Sequence, residues 1–278
     1  MHYSKAFFTS RDGLKLVTHS WKPTTEASYV LTVIHGMGEH GKRYDAFAQF
    51  FVSKGFVVTA VDLRGHGESE GKRGHTESFE HILNDICDFI TLQEKAYKDL
   101  KQILYGYSFG GNFLLNYLLT KETNAYAAIA SAPALKSNYA PAPMKAFFAK
   151  LIRNIYPSFT VSSGVKSSDM FRENRDEKPR EKDPLLHSRI SLEMALASIE
   201  KGVWALENAC RVNLPLLIMH GTGDKITRHD ASADFIKQVD SKLGRLKLYD
   251  GLFHDLHHDE NSEMILEDVY QWIIEVSH

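Results

Sequence analysis

The chain has 278 residues, 43% of them apolar and 24% charged, a balance that can bury a large core and does not suggest disorder. Its formal net charge of −2 creates no overall field to draw in nucleic acid, and its two cysteines imply no disulfide framework, so two buried thiols are expected. The N-terminus carries no apolar signal segment and no stretch reaches the roughly 18 apolar residues of a membrane span, which points to the cytoplasm.

Residues 5–9 and 14–20 flank Asp12-Gly13, a hairpin signal, and predict an antiparallel pair at one sheet edge. Residues 30–34, 56–61, 102–105, 126–130, 216–219 and 245–249 are short apolar runs, the pattern of strands buried on both faces. Between them, residues 44–54, 78–98, 110–121, 229–242 and about 262–276 have apolar positions at helix spacing. The last sets Ile265, Val269, Trp272 and Val276 on one stripe. Alternating strand and helix predicts a parallel α/β sheet. The rhythm breaks between 136 and 210, a charged, helical stretch interrupted by Pro141, Pro143, Pro157, Pro179 and Pro184. The expected organisation is therefore a catalytic core of residues 1–135 and 211–278, with 136–210 as a helical cap over the carboxyl edge of the sheet. Ligands bind at that edge in open α/β folds.

Gly106-Tyr107-Ser108-Phe109-Gly110 is a G-x-S-x-G pentapeptide entered from an apolar strand and left through the apolar helix of Phe113-Leu114-Leu115. A strand-to-helix elbow strains the serine so that its hydroxyl projects above the sheet, and side chains two residues away on either side would collide. Ser108 is thus the candidate nucleophile, in need of a base with a near-neutral pKa. Of 14 histidines, His254 is the candidate, because Tyr249-Asp250-Gly251-Leu252-Phe253-His254 places it in the loop after the final strand. His257 and His258 are its competitors, expected at or before the last helix. Asp224, after the strand that ends in His220-Gly221, is the candidate acid; Asp230 and Asp234 fall in the next helix and should be solvated. The order Ser, Asp, His is the one used by α/β-hydrolases. The glycine loop His35-Gly36-Met37-Gly38-Glu39-His40 can turn amides inward, and the Met37 and Phe109 N–H groups are the candidate oxyanion donors. His254, His257, His258 and Asp259 form a dense donor cluster, but His-Glu-x-x-His spacing and an assisting Cys pair are absent, so no metal is expected.

These segments, with Arg43-Tyr44, Asp62-x-x-Gly65-His66-Gly67-x-Ser69-x-Gly71, Asp183-Pro184-Leu185, Gly221-x-x-Asp224 and Tyr249-x-Gly251-x-x-His254-x-Leu256, span nearly the whole chain in order. Together they resemble the monoacylglycerol lipase and lysophospholipase branch of the α/β-hydrolases. The resemblance implies a mostly parallel eight-stranded sheet with helices on both faces and a helical cap. It implies ester hydrolysis of lipid-like or small acyl substrates through an acyl-enzyme, without cofactor. It also places Asp62, Arg64 and His66 in a structural loop beside the site. The chain departs from these lipases at Tyr107, Phe109 and Met37, where they carry histidine, methionine and a smaller residue, so acyl preference is open there.

In the cap, residues 144, 147, 148, 151, 152 and 155 share one helical face, with Lys145, Lys150 and Arg153 elsewhere. Packed on the core, this face makes the helix a lid; the alternative is transient docking on a lipid surface. Either way an apolar channel above Ser108 is expected, with Tyr107, Phe147 and Leu151 as substrate-binding residues. The mixed charge run 172–183 reads as a solvated face. Three functions compete: hydrolysis of monoacylglycerol, lysophospholipid or similar esters; an aminopeptidase of the same fold, using Glu173 or Glu177 to hold a substrate amine; and a non-catalytic binding member, which would generally have lost one of the three catalytic candidates.

Overall fold

The computed structural model describes residues 1–139, 143–172 and 183–277, without the side chains of residues 143–148 and 167. The apolar, β-branched runs form strands because such side chains pack well on a pleat covered from both sides. In chain order these are β1 (His2–Thr9), β2 (Lys15–Lys22), β3 (Tyr29–Ile34), β4 (Phe56–Val61), β5 (Lys101–Tyr107), β6 (Ala127–Ser131), β7 (Thr160–Ser162), β8 (Arg189–Ser191), β9 (Leu216–Gly221) and β10 (Gly244–Tyr249). One eight-stranded sheet runs β1-β2-β4-β3-β5-β6-β9-β10. β1 and β2 form the expected hairpin, and Gly13 takes φ 93° in its turn, a region that L side chains rarely enter. β2 is antiparallel to β4; every later pairing is parallel, so the ends of β3, β4, β5, β6, β9 and β10 share one edge.

The helices are α1 (Asp45–Ser53), α2 (Phe79–Ala96), α3 (Phe109–Thr120), α4 (Pro143–Ile155), α5 (Ser167–Met170), α6 (Leu192–Glu207), α7 (His229–Ile236) and α8 (Ser262–Ser277). Period-two alternation sends Leu31, Val33, Ile103, Leu217 and Met219 to the face covered by α1 and α8. It sends Ile34, Leu104, Leu216 and Ile218 to the face covered by α2, α3 and α7. Each such side chain, fully buried, contributes on the order of 2 kcal/mol. α2 begins where the Ser78 hydroxyl accepts the His81 N–H, a cap worth about 1 kcal/mol. α7 stops short of the expected residue 242. The amides of Gln238 and Val239 bond only three residues back, and the Asp240 carboxylate accepts the Lys242 N–H, so local side-chain bonding displaces the helix.

The segment between β6 and β9 is less uniformly helical than its composition predicts: β-branched residues pair β7 with β8 as a small antiparallel ribbon. α6 packs its inner face into the core beside α3. Two buried asparagines on α3 fasten it, Asn112 donating to Ser198 O (3.1 Å) and Asn116 to Lys201 O (3.3 Å). On α4 the expectation of an inward apolar face fails over the described side chains. Leu151 and Ile152 are 45% and 43% exposed and Ile155 is 87% exposed. Arg153 instead faces α6, with ion pairs to Glu193 (3.3 Å) and Glu200 (3.1 Å). The cysteines also differ from expectation: both thiols are free, Cys87 is half-buried and Cys210 is exposed after α6.

Candidate active site

Ser108 joins β5 to α3 with φ 54° and ψ −111°, a strained conformation for a residue with a Cβ. The strain is held from several sides. The Ser108 N–H donates to Ser131 O (2.9 Å), and its carbonyl accepts from Asn112 N and Ala134 N (3.0 Å each). A Cβ at Gly106 would stand 2.5 Å from Gly110 O, and one at Gly110 would run into the carbonyls of Ile34 and His35. The two motif glycines are therefore a steric requirement of the elbow.

Above it the three expected side chains meet. The Ser108 hydroxyl lies 2.8 Å from His254 Nε2, and His254 Nδ1 lies 2.7 Å from Asp224 Oδ2. With Nδ1 donating to the carboxylate, Nε2 presents its lone pair to the hydroxyl. His254 and Asp224 are buried, and Ser108 is half-exposed to the cavity above. Asp224 Oδ1 accepts the amides of Ile226 (2.7 Å) and Thr227 (3.0 Å). Oδ2 also accepts the Thr227 hydroxyl (2.8 Å) and the His220 ring (3.0 Å). Burial works to raise this carboxyl's pKa, but the pull of His254 and the hydrogen bonds from His220 and His254 outweigh it and hold it well below the usual range. The group stays an anion. Asp230 and Asp234 lie in α7, half-exposed and paired with Arg228 and Lys237.

The other candidates fall into place around this centre. Phe109 is the first residue of α3, whose first-turn amides have no intrahelical acceptor. Met37 sits in the turn after β3, its sulfur 3.3 Å from His66 Nε2. Tyr107 is buried at the cavity floor, its ring 5.1 Å from that of His254. Asp62 accepts from Gly41 N (2.6 Å), His19 (3.0 Å) and Glu68 N (2.9 Å), and Arg64 bridges Asp12 and Asp85. Both groups are spent on holding the loops after β3 and β4. Burial pushes the His35 ring down to about 4 and that of His66 well below its usual value, so both are neutral scaffolding.

The dense donor cluster of the C-terminal loop is split apart. His254 turns to Ser108, while Asp259 pairs with Arg172 (2.6 Å). Among the described residues Asp255, His257 and His258 form the one group whose ligand atoms converge, within 4.8 Å. Asp255 already accepts from His258 (3.0 Å) and lies 3.7 Å from Arg43, so its charge is matched by protein.

The chain leaving the segment between β6 and β9 is tied to the Met37 loop. Asp183 meets His40 Nε2 (2.8 Å), and the His187 N–H donates to Gly38 O (3.1 Å). Beneath this leg opens a cavity of about 910 Å³, within the range of small-molecule sites. Ser108, His254, Tyr107 and Met37 line it, with an apolar wall that includes Phe109, Leu186, Ile190 and Leu196. Leu151 does not line it: α4 turns Ala149 inward and Leu151 to solvent. The side chain of Phe147 lies outside the described residues, as do Glu173 and Glu177.

Two residues escape the sequence reading. His220 stands out only as a polar side chain ending an otherwise apolar strand. Thr227 carries the signal of a hydroxyl three residues after a carboxylate, the spacing of a local side-chain turn. Neither signal says that both would converge on Asp224.

Comparison with known proteins bears on the family and the fold. The family described as serine aminopeptidase, S33, matches residues 25–261. An abhydrolase domain-containing protein of Dictyostelium discoideum is 32% identical over 94% of this chain, which spans 28% of that protein's length. The monoacylglycerol lipase of Mycolicibacterium smegmatis is 28% identical over 98% of this chain and 97% of its own. The crystal structure of a monoacylglycerol lipase from Paleococcus ferrophilus superposes with a TM-score of 0.81 at 29% identity, covering 99% of this chain and 100% of that one. The parallel sheet, the strained serine at its edge and these likenesses together make the chain a serine hydrolase of the α/β-hydrolase fold, a member of the S33 family on its monoacylglycerol lipase branch.

Proposed function

We propose that the protein hydrolyses monoacylglycerol and similar acyl esters through an acyl-enzyme on Ser108, with His254 as base and Asp224 as the acid that orients it. The observation that carries this is the unbroken chain Ser108 Oγ, His254 Nε2, His254 Nδ1, Asp224 Oδ2 at 2.8 and 2.7 Å. His254 takes the hydroxyl proton as Oγ attacks the ester carbonyl, and the imidazolium is stabilised by Asp224. The oxyanion accepts hydrogen bonds from the Met37 and Phe109 amides. His254 then passes the proton to the leaving alcohol, and water, deprotonated in turn by His254, releases the acid and restores Ser108.

The apolar wall supports an acyl chain as the bound group, and two of the relatives named above are monoacylglycerol lipases. An aminopeptidase would need a carboxylate to hold the substrate ammonium. Among the described residues that line the cavity the one carboxylate is Glu39, already paired with Arg43. Residues 136–210 serve in this proposal as the cap. The outward Leu151, Ile152 and Ile155, with the exposed Tyr156 and Phe159, favour peripheral contact of a cytoplasmic enzyme with lipid surfaces. No described helix is long and apolar enough to cross a membrane.

A fluorophosphonate probe should label the protein and not its Ser108→Ala variant, and p-nitrophenyl esters should be turned over while proline amides are not. Labelling that survives Ser108→Ala, or faster turnover of the amides, refutes the proposal.

A further inference from the structure

We propose that His220 is a positioning residue: its ring N–H draws charge from the Asp224 carboxylate and so sets the pH at which His254 becomes a working base. Nothing in the G-x-S-x-G motif or in the order Ser, Asp, His requires a second imidazole on the acid.

His220 lies next to the last residue of β9 and its side chain is wholly buried. Its Nε2 stands 3.0 Å from Asp224 Oδ2, the same oxygen that His254 Nδ1 reaches at 2.7 Å. Its Nδ1 stands 2.8 Å from the Ser232 hydroxyl on α7. A carboxylate only accepts, so Nε2 carries the hydrogen; Nδ1 then has a lone pair, and Ser232 donates to it. The ring thus ties α7 to the catalytic acid in one fixed tautomer. Among the described residues, the titratable groups facing it are Asp224 from the loop after β9, His254 from the loop after β10, and His229 of α7, whose ring centroid is 6.3 Å away. Thr227 adds a hydroxyl from the same loop as Asp224. A second imidazolium beside His254 would be buried and opposed by like charge, and burial lowers the affinity of His220 for a second proton.

Every N–H aimed at Oδ2 takes a share of its negative charge. The attraction left for the His254 imidazolium is smaller than a carboxylate without that donor would exert. Removing the His220 donor returns charge to Oδ2, favours protonated His254, and moves the acid limb of the rate profile to higher pH. It also loosens the carboxylate, so kcat falls while substrate binding is spared. A histidine present merely to fill the core would affect stability and leave the acid limb where it was.

The inference rests on the roles proposed above for Ser108, His254 and Asp224, so the control is fluorophosphonate labelling of wild type and Ser108→Ala. Failure of that control refutes those roles and is read separately from the test of His220. The test is the pH dependence of kcat and KM for p-nitrophenyl butyrate in wild type, His220→Leu, His220→Gln and Ser232→Ala. For His220→Leu the acid limb should rise by about half a pH unit or more, with kcat down about tenfold and KM within about twofold. His220→Gln keeps an N–H donor and should shift less. Ser232→Ala frees the ring tautomer and should shift in the same direction by a smaller amount. Superimposable acid limbs, or equal shifts for Leu and Gln, overturn the inference. If His220→Leu does not fold, Ser232→Ala against wild type decides, and an unmoved limb overturns it.

Discussion

The carboxyl edge of the sheet and the outer helix α4 solve opposite problems. At the edge two buried carboxylates are over-determined: Asp224 accepts from Ile226, Thr227, His220 and His254, and Asp62 from Gly41, His19 and Glu68. On α4 Arg153 pairs with Glu193 and Glu200 of α6, and apolar side chains are left in water. The difference teaches where precision is needed. A proton relay fails when an atom moves by an ångström, so its surroundings are rigid and polar. A surface that meets an acyl chain or a lipid needs area rather than position.

The sharpest way to break this comparison is at the acid. Asp224→Asn should keep the fold and lower kcat by about 10³-fold or more, because an amide cannot hold the imidazole in the required tautomer. Steady-state kinetics beside a thermal melt would test this, and a loss below tenfold would mean the edge is less exacting than its hydrogen bonds imply.

Acid should act on the edge next. His35 is fully buried, its Nε2 accepting from Leu63 N and its Nδ1 donating to Gly36 O, and burial lowers its pKa to about 4. The unfolded chain takes up that proton near pH 6.5. Between these values the unfolded state binds more protons, so stability is complete above pH 6.5 and falls as pH drops. The loss approaches about 3 kcal/mol by pH 4 from this residue alone. His257, lowered by burial to about 3, steepens the same slope. Asp62, held at about 2 by His19 against its burial, adds its own loss only below the ordinary carboxylate range. Denaturant midpoints at pH 7, 5.5 and 4 would reveal the slope, and His35→Asn should flatten it.

The contact between the 183–187 leg and the Met37 loop gives a smaller, paired effect. Gly38 has φ 71°, and a Cβ there would run into the carbonyl oxygen of His187. Gly38→Ala should cost about 1–3 kcal/mol and reduce kcat/KM about tenfold or more, since it forces the 183–187 leg off the Met37 loop. Gly164 has nearly the same φ, 73°, but its Cβ would meet nothing nearer than Tyr139 at 4.0 Å. Gly164→Ala should show only the backbone cost, about 1 kcal/mol, with activity retained. Equal activity losses in the two variants would argue against coupling through the leg.

The least effect on stability should come from the double variant Ile152→Ser/Ile155→Ser. Both side chains face solvent, so the melt and the turnover of a soluble short-chain ester should stay within error, while activity on monoacylglycerol in vesicles should drop by a few fold. A large loss of stability would mean that α4 is packed rather than exposed.

Most of the sheet was legible in the sequence, because a strand buried on both faces must be a short apolar run, and the runs alternate with helical stripes such as Ile265, Val269 and Trp272. Ser108, His254 and Asp224 were legible as candidates because chain order and strand ends are local facts. The end of α7 was not, since Asp240 turns the backbone through a local bond that hydrophobic spacing does not report. The exposed Cys210 was missed because residue type indicates average burial and not place.

What the sequence by itself determined was period, punctuation and order: where strands and helices run, which glycines must lack a side chain, and which nucleophile, acid and base follow one another. Only the tertiary structure decided that α4 turns Leu151 to water, that His220 and Thr227 share the carboxylate of Asp224, and that Asp255 is matched by Arg43 and His258. The reason is physical. A periodic pattern shows that a helix has an apolar face, but which way that face turns depends on elements distant along the chain, such as α6 with Glu193 and Glu200 beside Arg153. Likewise, a buried histidine's meaning lies in the atoms that converge on its ring, and those arrive from separate strands and loops.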